Sequence, residues 1–286
     1  NPFHIMRLVN TIRDLQPDII HCHFESLIRF LHYTPGKKVL TVHGISRQYD
    51  KILSKYDMVF GITHDVCTDL ARRGLNAMPV LVYNGIDHTL IKTKTRYDKP
   101  EFRIVCVGRL NHQTKGQDLL LMAIHEIIYA HSIKNINVHF LGDGPSLCHL
   151  LNLAHQLDIA PYCKFIGFKP RNWVFHNLCN YELLVQPSRR EAFGLSIAEA
   201  MMAKVPVLVS NIPGATEVIN RGNLGYKFEA EDSHDCARAI IDIMKAYSNK
   251  EIKSMTEAAY NYAVSHFAIS DISKQYLNQY RLLLTK

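Results

Sequence analysis

Two glutamates eight positions apart, Glu191 and Glu199, are the side chains whose spacing most strongly suggests ligand binding. The residues around them predict a buried strand ending at Gln186, a loop with Glu191, and a helix that Gly194 opens and that carries Glu199. Carboxylates accept hydrogen bonds from hydroxyls, so the pair could hold two polyol groups of an extended ligand. The free N–H groups and the dipole at the helix start favour an anion such as phosphate. Taken alone, either glutamate is better explained by solvent exposure or a surface ion pair.

Two cations frame another strand-to-helix loop in residues 105–117. A strand is predicted to end at Val107, Gly108 allows a tight turn, and Arg109 and Lys115 follow before a helix. Arginine can bind phosphate through two parallel hydrogen bonds, and lysine binds it as a point charge. Ligands of open α/β folds bind at the carboxyl edge of the sheet, so this loop is a candidate phosphate site. Ordinary surface cations are the alternative.

Three further loops carry weaker signals. Gly142 lies in LGDGP, residues 141–145, where two glycines after a strand indicate either close approach to a ligand or a simple turn. The full G-x-G-x-x-G pattern of dinucleotide-binding loops is absent there. The segment NGID, residues 84–87, is explained by turn chemistry. His43 ends a predicted strand in TVHG, and a lone histidine in such a place is more often structural than functional.

The elements that must position these loops follow from the apolar pattern. Short apolar runs predict strands at residues 18–22, 38–42, 57–62, 79–83, 103–107, 136–141, 164–167, 182–186, 206–209 and 224–228. Helices are predicted between them, most clearly at 117–131 and also at 3–15 and 63–73. Three more helices are expected from Ser233 onward, with turns near 248 and 268–270. Alternating strands and helices indicate an α/β protein with parallel sheets, and the polar stretch 92–99 is the predicted linker.

Composition narrows the classes of partner. A length of 286 residues corresponds to about two domains. The formal net charge is +7, and most of the excess lies in residues 1–100. Such a bias suits phosphates or an anionic membrane surface, although an ordinary solvated surface explains it equally well. Because no arginine-rich run alternates with aromatic residues, we expect no nucleic acid partner.

Cysteine and histidine placement argues against disulfides and metals. The seven cysteines include no C-x-x-C pair, and this pattern indicates reduced thiols in a cytoplasmic protein. His21 and His23 lie two apart on a predicted strand, so their side chains should point to opposite faces. No apolar run is long enough to cross a membrane.

The order of the motifs resembles one protein family. VGRL and KGQ (107–110 and 115–117), LGDGP, IGF (166–168), EAFGLSIAEAMMA (191–203) and GATEVI (214–219) follow one another, preceded by TVHG and NGID. In this order they resemble the retaining glycosyltransferases of family 4, which have the GT-B fold. The similarity covers nearly the whole chain and is densest over residues 83–219. Ala192 and Lys204 stand where that family usually has glycine.

This resemblance implies two Rossmann-like domains with parallel sheets facing across a cleft. Residues 1–94 would form a partial acceptor-side domain, and residues 101–266 would form the domain that binds the nucleotide-sugar donor. Residues 267–286 would form a helix that packs back toward the N-terminal domain. Comparison with the family also predicts that the first domain is incomplete at its N-terminus.

The resemblance also assigns roles to the matching residues. Arg109 and Lys115 would hold the diphosphate and stabilise it as the leaving group. Glu191 would hold the donor sugar, Glu199 would bind the ribose hydroxyls, and His43 would lie near the transferred sugar. Positions whose backbone would line the donor site are Gly108, Gly142, Ile166, Phe168, Phe193, Gly194 and Leu195.

The implied activity is metal-independent transfer of a sugar with retention, without a cofactor. The donor would be a UDP- or GDP-linked sugar, and the acceptor would be a glycan or glycolipid in cell-surface polysaccharide biosynthesis. The implied location is the cytoplasm or the cytoplasmic face of a membrane. Two other readings remain open: a truncated, non-catalytic nucleotide-sugar-binding remnant or subunit, and another GT-B enzyme such as a sugar-nucleotide epimerase.

Overall fold

The computed structural model describes residues 2–46, 51–73, 75, 77–97, 101–247 and 250–285. The strands are β1 (Ile19–Cys22), β2 (Lys37–Val42), β3 (Met58–Gly61), β4 (Val80–Leu81), β5 (Phe102–Val107), β6 (Ile136–Leu141), β7 (Cys163–Gly167), β8 (Leu183–Gln186), β9 (Val207–Ser210) and β10 (Tyr226–Phe228). The α-helices are α1 (Pro2–Leu15), α2 (Ile28–Leu31), α3 (His64–Arg72), α4 (His112–Lys115), α5 (Gln117–Tyr129), α6 (Leu147–Gln156), α7 (Arg171–Asn177), α8 (Leu195–Met202), α9 (Pro213–Val218), α10 (Ser233–Ala246), α11 (Lys250–Phe267) and α12 (Ile269–Leu284).

The chain divides into two compact units. The first comprises Asn1–Gly85 together with Ile269–Lys286, and the second comprises Ile86–Ala268. Both are built on a parallel sheet, which confirms the predicted α/β class. None of the helices in the described ranges has the length and apolar character that crossing a bilayer requires.

The sheet of the first unit has the order β1-β2-β3-β4. Its central strands are apolar and buried, and Val39 and Phe60 lie in its core. The C-terminal helix α12 packs on this sheet, placing the rings of Tyr276 and Tyr280 against Phe60. Burial of Ile272 from the same helix completes the core of this unit.

The sheet of the second unit has the order β10-β9-β8-β5-β6-β7. The chain winds outward in one direction from β5 through β6 to β7, and β8, β9 and β10 then extend the sheet in the other direction. The reversal lies between β5 and β8. In open α/β sheets this reversal leaves a crevice at the carboxyl ends of the strands, where ligands bind.

The predicted strands are all confirmed, and none of their ends differs from the observed end by more than two residues. Among the described residues, helices α10, α11 and α12 confirm the three predicted from Ser233 onward, and Ala268 separates the last two. The predicted turn near residue 248 lies outside the described residues. Helix α5 ends at Tyr129 rather than at 131, because the chain reverses at Ser132, which has a φ of +57°.

The polar stretch 92–99 is not a free linker where the structure describes it. Residues 92–97 have no regular secondary structure, yet the side chain of Lys94 is 1% exposed inside the second unit. Its Nζ donates to the carbonyl of Tyr181 at 2.8 Å and to the carboxylate of Glu182 at 3.1 Å. Because these bonds tie the stretch to the second unit, the division between units falls at Gly85 instead. Residues 98–100 lie outside the described residues.

Candidate active site

The carboxyl ends of β5, β6 and β7 form one compact edge of the second sheet. The amide of Gly108 donates to the carbonyl of Leu141 at 2.9 Å, and the amide of Gly142 donates to the carbonyl of Gly167 at 3.0 Å. A Cβ added to Gly142 would lie 1.9 Å from the carbonyl oxygen of Gly108. Only glycine therefore permits this contact, and the two predicted loops lie backbone to backbone.

Lys115 and Glu191 form the central ion pair of this edge. Lys115 ends the short helix α4, and its Nζ lies 2.6 Å from Oε2 of Glu191. The hydroxyl of Ser188 donates to the same oxygen at 3.1 Å. Gly116 follows in the left-handed region, with a φ of +64°, and lets the chain pass close to the carbonyl of Pro187. The structure thus brings together one cation and one carboxylate that the sequence assigned to separate motifs.

Arg109 differs from Lys115 in that its guanidinium contacts no charged group among the described residues. Its side chain is exposed and has no ion-pair or hydrogen-bond partner among the described residues. Its carbonyl accepts a hydrogen bond from Nε2 of Gln117 at 3.0 Å, which ties the loop to the start of α5. This guanidinium is therefore free to receive an anion.

Arg189, which sequence analysis did not single out, anchors the loop that carries Glu191. Its guanidinium donates to both carboxylate oxygens of Asp118 at 2.7 and 2.9 Å, and to Glu231 at 2.8 Å. The hydrogen bonds to Asp118 are the main cause of its raised pKa. The amide of Arg189 also donates to the carbonyl of Thr114 at 3.0 Å. The sequence offered one signal for this role, because Arg189 lies two residues before Glu191, a candidate ligand-binding residue. Its partner Asp118 is 71 residues away in sequence and could not be predicted.

Helix α8 begins at Leu195, and the residue that precedes it at the N-cap position is Gly194. Gly194 has a φ of +80°, and among the described residues no side-chain cap is formed at this helix start. The Phe193 side chain is buried and meets Phe267 edge-on at 5.1 Å, so only its backbone is available to a ligand. The side chain of Leu195, by contrast, is exposed. The predicted backbone site at 193–195 therefore lies at an open helix start that favours an anion.

Glu199 is buried on α8 and does not pair with the cations predicted to hold phosphate. Its Oε1 instead lies 3.2 Å from Nη2 of Arg171, the first residue of α7. Burial raises the pKa of the Glu199 carboxyl, and the charge of Arg171 opposes this shift. Sequence analysis did not single out Arg171, because 28 residues separate it from its partner.

The end of β7 presents an exposed aromatic ring. Phe168 is 75% exposed, whereas the preceding Ile166 is partly buried. Between them, Gly167 has a φ of +76° and open space where a Cβ would lie. This segment offers an exposed ring face on which a flat group could stack.

His43 belongs to the first unit and is part of a cluster of three imidazoles. Its Nε2 lies 2.9 Å from Nδ1 of His23, and the ring of His23 stacks on that of His21 at 4.7 Å. The expectation that His21 and His23 face opposite ways is wrong, because β1 ends at Cys22 and His23 lies in the following bend. Nε2 of His21 is also 2.7 Å from the hydroxyl of Thr41.

Burial lowers the pKa of two members of this cluster, His21 and His43. It lowers the pKa of His21 to about 4, with smaller contributions from His23 and His43. Burial, followed by the charge of His23, also lowers the pKa of His43. His23 and His43 line a cavity of about 390 Å³, which Arg29 and Ser26 also line. Within the described ranges, no group of three histidine, cysteine or acidic side chains is arranged to hold a metal ion.

Comparison with known sequences identifies the family. The family described as "Glycosyl transferases group 1" matches residues 87–262. The family described as "Glycosyltransferase Family 4" matches residues 1–90. This chain is a member of the group 1 glycosyltransferases. Its predicted similarity to family 4 is confirmed.

Two named relatives show how much of a related glycosyltransferase this sequence covers. It is 30% identical over 196 residues to the N-acetyl-alpha-D-glucosaminyl L-malate synthase of Bacillus anthracis, covering 68% of this chain and 49% of the relative. It is 27% identical over 214 residues to the O-antigen biosynthesis glycosyltransferase WclY of Escherichia coli, covering 71% and 55%. The matches thus span about half the length of these relatives.

Solved glycosyltransferase structures share the fold. A glycosyltransferase from Rickettsia africae superposes with a TM-score of 0.85 at 19% identity, covering 99% of this chain and 82% of that one. HepE from Anabaena, solved in complex with UDP and glucose, superposes with a TM-score of 0.82 at 19% identity, covering 96% and 80%. These likenesses confirm the predicted GT-B fold.

Proposed function

We propose that this chain belongs to a retaining glycosyltransferase that moves a sugar from a nucleotide-diphosphate sugar to a glycan or glycolipid. The observation that carries the proposal is the convergence of three anion-binding features at one sheet edge. These are the exposed guanidinium of Arg109, the Lys115–Glu191 pair and the start of α8, where the N-cap residue is a glycine. Family membership supplies the reaction class.

In the proposed reaction, the diphosphate gains negative charge as the bond to the sugar breaks. Arg109 and the first amides of α8 would stabilise this charge in the transition state more than in the ground state. Lys115 would exchange part of its contact with Glu191 for a phosphate oxygen. Glu191 would thereby be released to accept hydrogen bonds from the hydroxyls of the sugar.

The nucleoside would extend from the diphosphate toward Glu199 and Phe168. The Glu199 carboxylate would accept hydrogen bonds from the ribose, and the backbone at Ile166–Phe168 would flank the base. The relative HepE was solved with UDP, which supports a uridine nucleotide as the first donor to test. GDP-linked donors remain the second candidate.

His43 is proposed to contact the transferred sugar. The lowered pKa of this imidazole keeps it neutral at physiological pH, so it can donate or accept a hydrogen bond without adding charge. The acceptor is assigned to the first unit, where a cavity opens beside His43. We also propose that the protein acts in cell-surface polysaccharide biosynthesis, and its similarity to the O-antigen biosynthesis glycosyltransferase WclY supports this class of pathway. The proposed location is the cytoplasm, with contact to an anionic membrane surface.

The deciding experiment is calorimetric titration of the full chain with UDP, GDP and ADP. One of these should bind, and Glu199→Ala should weaken that binding by about 1–3 kcal/mol, because a hydrogen bond to a charged group is lost. Glu257→Ala is the matched control, since that glutamate is exposed, lies on α11 and pairs with Lys204 in the turn after α8. Absence of binding by the folded wild-type chain would refute the donor-site proposal.

A second measurement tests the proposed metal independence. Transfer from the donor that binds should continue unchanged in excess EDTA, because the proposed charge stabilisation uses Arg109, Lys115 and backbone amides. Loss of activity in EDTA that added Mg²⁺ or Mn²⁺ restores would contradict this part of the mechanism. Analysis of the product anomer by NMR tests retention.

A further inference from the structure

Glu199 is a buried carboxylate with a single charged neighbour. It is 7% exposed, and one of its oxygens, Oε1, receives a hydrogen bond from Nη2 of Arg171 at 3.2 Å. No residue that the structure describes donates a hydrogen bond to the other oxygen, Oε2. The contact with Arg171 therefore fixes the carboxylate at one oxygen and leaves the second as an open acceptor.

Arg171 is itself held from a second side. Its guanidinium lies over the ring of Phe175, 5.0 Å from the ring centre, one turn further along α7. The ring is buried, whereas the Arg171 side chain is 53% exposed. A guanidinium stacked on a fixed ring has fewer accessible rotamers than a free one, so its hydrogen bond to Glu199 has a defined direction.

The charge of Arg171 favours the ionised form of Glu199. Burial raises the pKa of this carboxyl, and Arg171 is the one charged group of the described residues that lowers it. The elements packed on α8, which are α9, α11, β8 and β9, contribute no charged group that shifts this pKa in the described part of the chain. Without Arg171 the carboxyl would take up a proton more readily and become a weaker acceptor.

We propose that Arg171 is a positioning residue for donor recognition: it holds Glu199 ionised and oriented, so that Oε2 accepts hydrogen bonds from the ribose hydroxyls of the nucleotide. This inference rests on the proposed donor role of Glu199. It also assigns a role to α7, because this helix follows Phe168 at the end of β7 and carries the arginine that contacts Glu199 on α8.

The first test is the titration of Glu199 by NMR of protein with ¹³C-labelled glutamate, using Glu199→Gln to assign the signal. Replacing Arg171 with glutamine should raise the carboxyl pKa by about one unit or more, because an opposite charge at hydrogen-bond distance is removed. Arg171→Lys should restore much of the wild-type value. Lys169→Ala is the control, since that ammonium lies over Trp173 and does not contact Glu199. This readout needs no nucleotide.

The second test measures recognition of the ribose by calorimetry with UDP and 2′-deoxy-UDP, and with the corresponding GDP and ADP pairs. The wild-type chain should bind the ribonucleotide roughly tenfold more tightly than the deoxy form, since one hydrogen bond to a charged acceptor distinguishes them. Arg171→Gln should lose most of this preference. The remaining preference should weaken further as the pH falls toward the raised pKa of Glu199, whereas Lys169→Ala should behave as the wild type.

The outcomes separate this inference from the donor proposal. If Glu199→Ala loses the ribose preference but Arg171→Gln retains it at every pH, the role of Arg171 is refuted and the donor site stands. If neither variant changes the preference, the ribose role of Glu199 is wrong, and the inference fails with it. If the folded wild-type chain binds no nucleoside diphosphate, both proposals are overturned. An unchanged Glu199 pKa in Arg171→Gln would refute the electrostatic part on its own.

Discussion

Replacement of Lys115 by methionine should both destabilise the protein and slow the proposed transfer. The ammonium of Lys115 lies 2.6 Å from Glu191, and these side chains are 25% and 10% exposed. Exposed ion pairs contribute about 0–1 kcal/mol, whereas breaking a fully buried pair costs about 3–5 kcal/mol. This pair lies between those limits. We therefore expect the free energy of unfolding to fall by about 2 kcal/mol, because methionine keeps the volume and leaves Glu191 without its cation.

The assay is a double-mutant cycle by urea unfolding, with Lys115→Met, Glu191→Gln and the double variant. The coupling energy should be about 1–2 kcal/mol, since Glu191→Gln removes the charge that the methionine leaves unpaired. Turnover should fall about 100-fold in Lys115→Met with a smaller change in donor affinity, because in the proposed reaction this cation acts on the leaving group mainly in the transition state.

The matched control is the pair formed by Lys204 and Glu257. Its atoms are also 2.6 Å apart, but Glu257 is 51% exposed and the pair lies outside the site. Lys204→Met and Glu257→Gln should therefore couple by less than about 1 kcal/mol and leave turnover unchanged. Equal coupling in the two cycles would refute the argument from burial. Full turnover in Lys115→Met would remove this lysine from the mechanism.

Three other perturbations test the fold around the site. Gly142→Ala should lower the free energy of unfolding by about 3 kcal/mol in thermal unfolding, because the new methyl would clash with the Gly108 carbonyl. Gly108→Ala should cost about 1 kcal/mol, because open space surrounds the position of its Cβ. Equal losses in the two variants would contradict this reasoning. Lys94→Met should lower the free energy of unfolding by about 3 kcal/mol in urea, because it leaves the buried Glu182 without one of its cations. A loss below about 1 kcal/mol would show that residues 92–97 act only as a linker. His21 has a folded pKa of about 4 against 6.5 in the unfolded chain, so the unfolded state binds its proton first as the pH falls. Stability should therefore drop by about 2 kcal/mol between pH 6.5 and 4, after allowance for partial exposure, and His21→Gln should remove that part of the drop.

Buried parallel strands and strand-end loops were predictable from the sequence. Strands covered on both faces are continuous apolar runs, so Val39 and Val105 lie in segments that can be recognised without any tertiary information. Glycines and charged residues directly after such runs must lie at the carboxyl edge of a parallel sheet. For this reason Gly108, Arg109 and Gly194 could be placed at that edge.

Side-chain partners remote in sequence were not predictable. The interpretation of Lys94 as part of a linker was wrong because its polarity was visible, but its burial against Glu182 was not. The role of Arg189 likewise depends on Asp118, which precedes it by 71 residues. Local polarity indicates that a residue needs water or a partner, but does not indicate which of the two it receives.

The amino-acid sequence by itself determined the α/β class, the order of the strands along the chain and the glycine-containing, charged loops that follow the strands. These follow from local periodicity and turn chemistry, which act over a few residues. Only the tertiary structure decided that Lys115 faces Glu191, that Arg171 rather than a phosphate-loop cation pairs with Glu199, and that His23 meets His43. Each of these pairs depends on the register of strands and helices far apart in the chain, and electrostatic and hydrogen-bond energies depend on those distances.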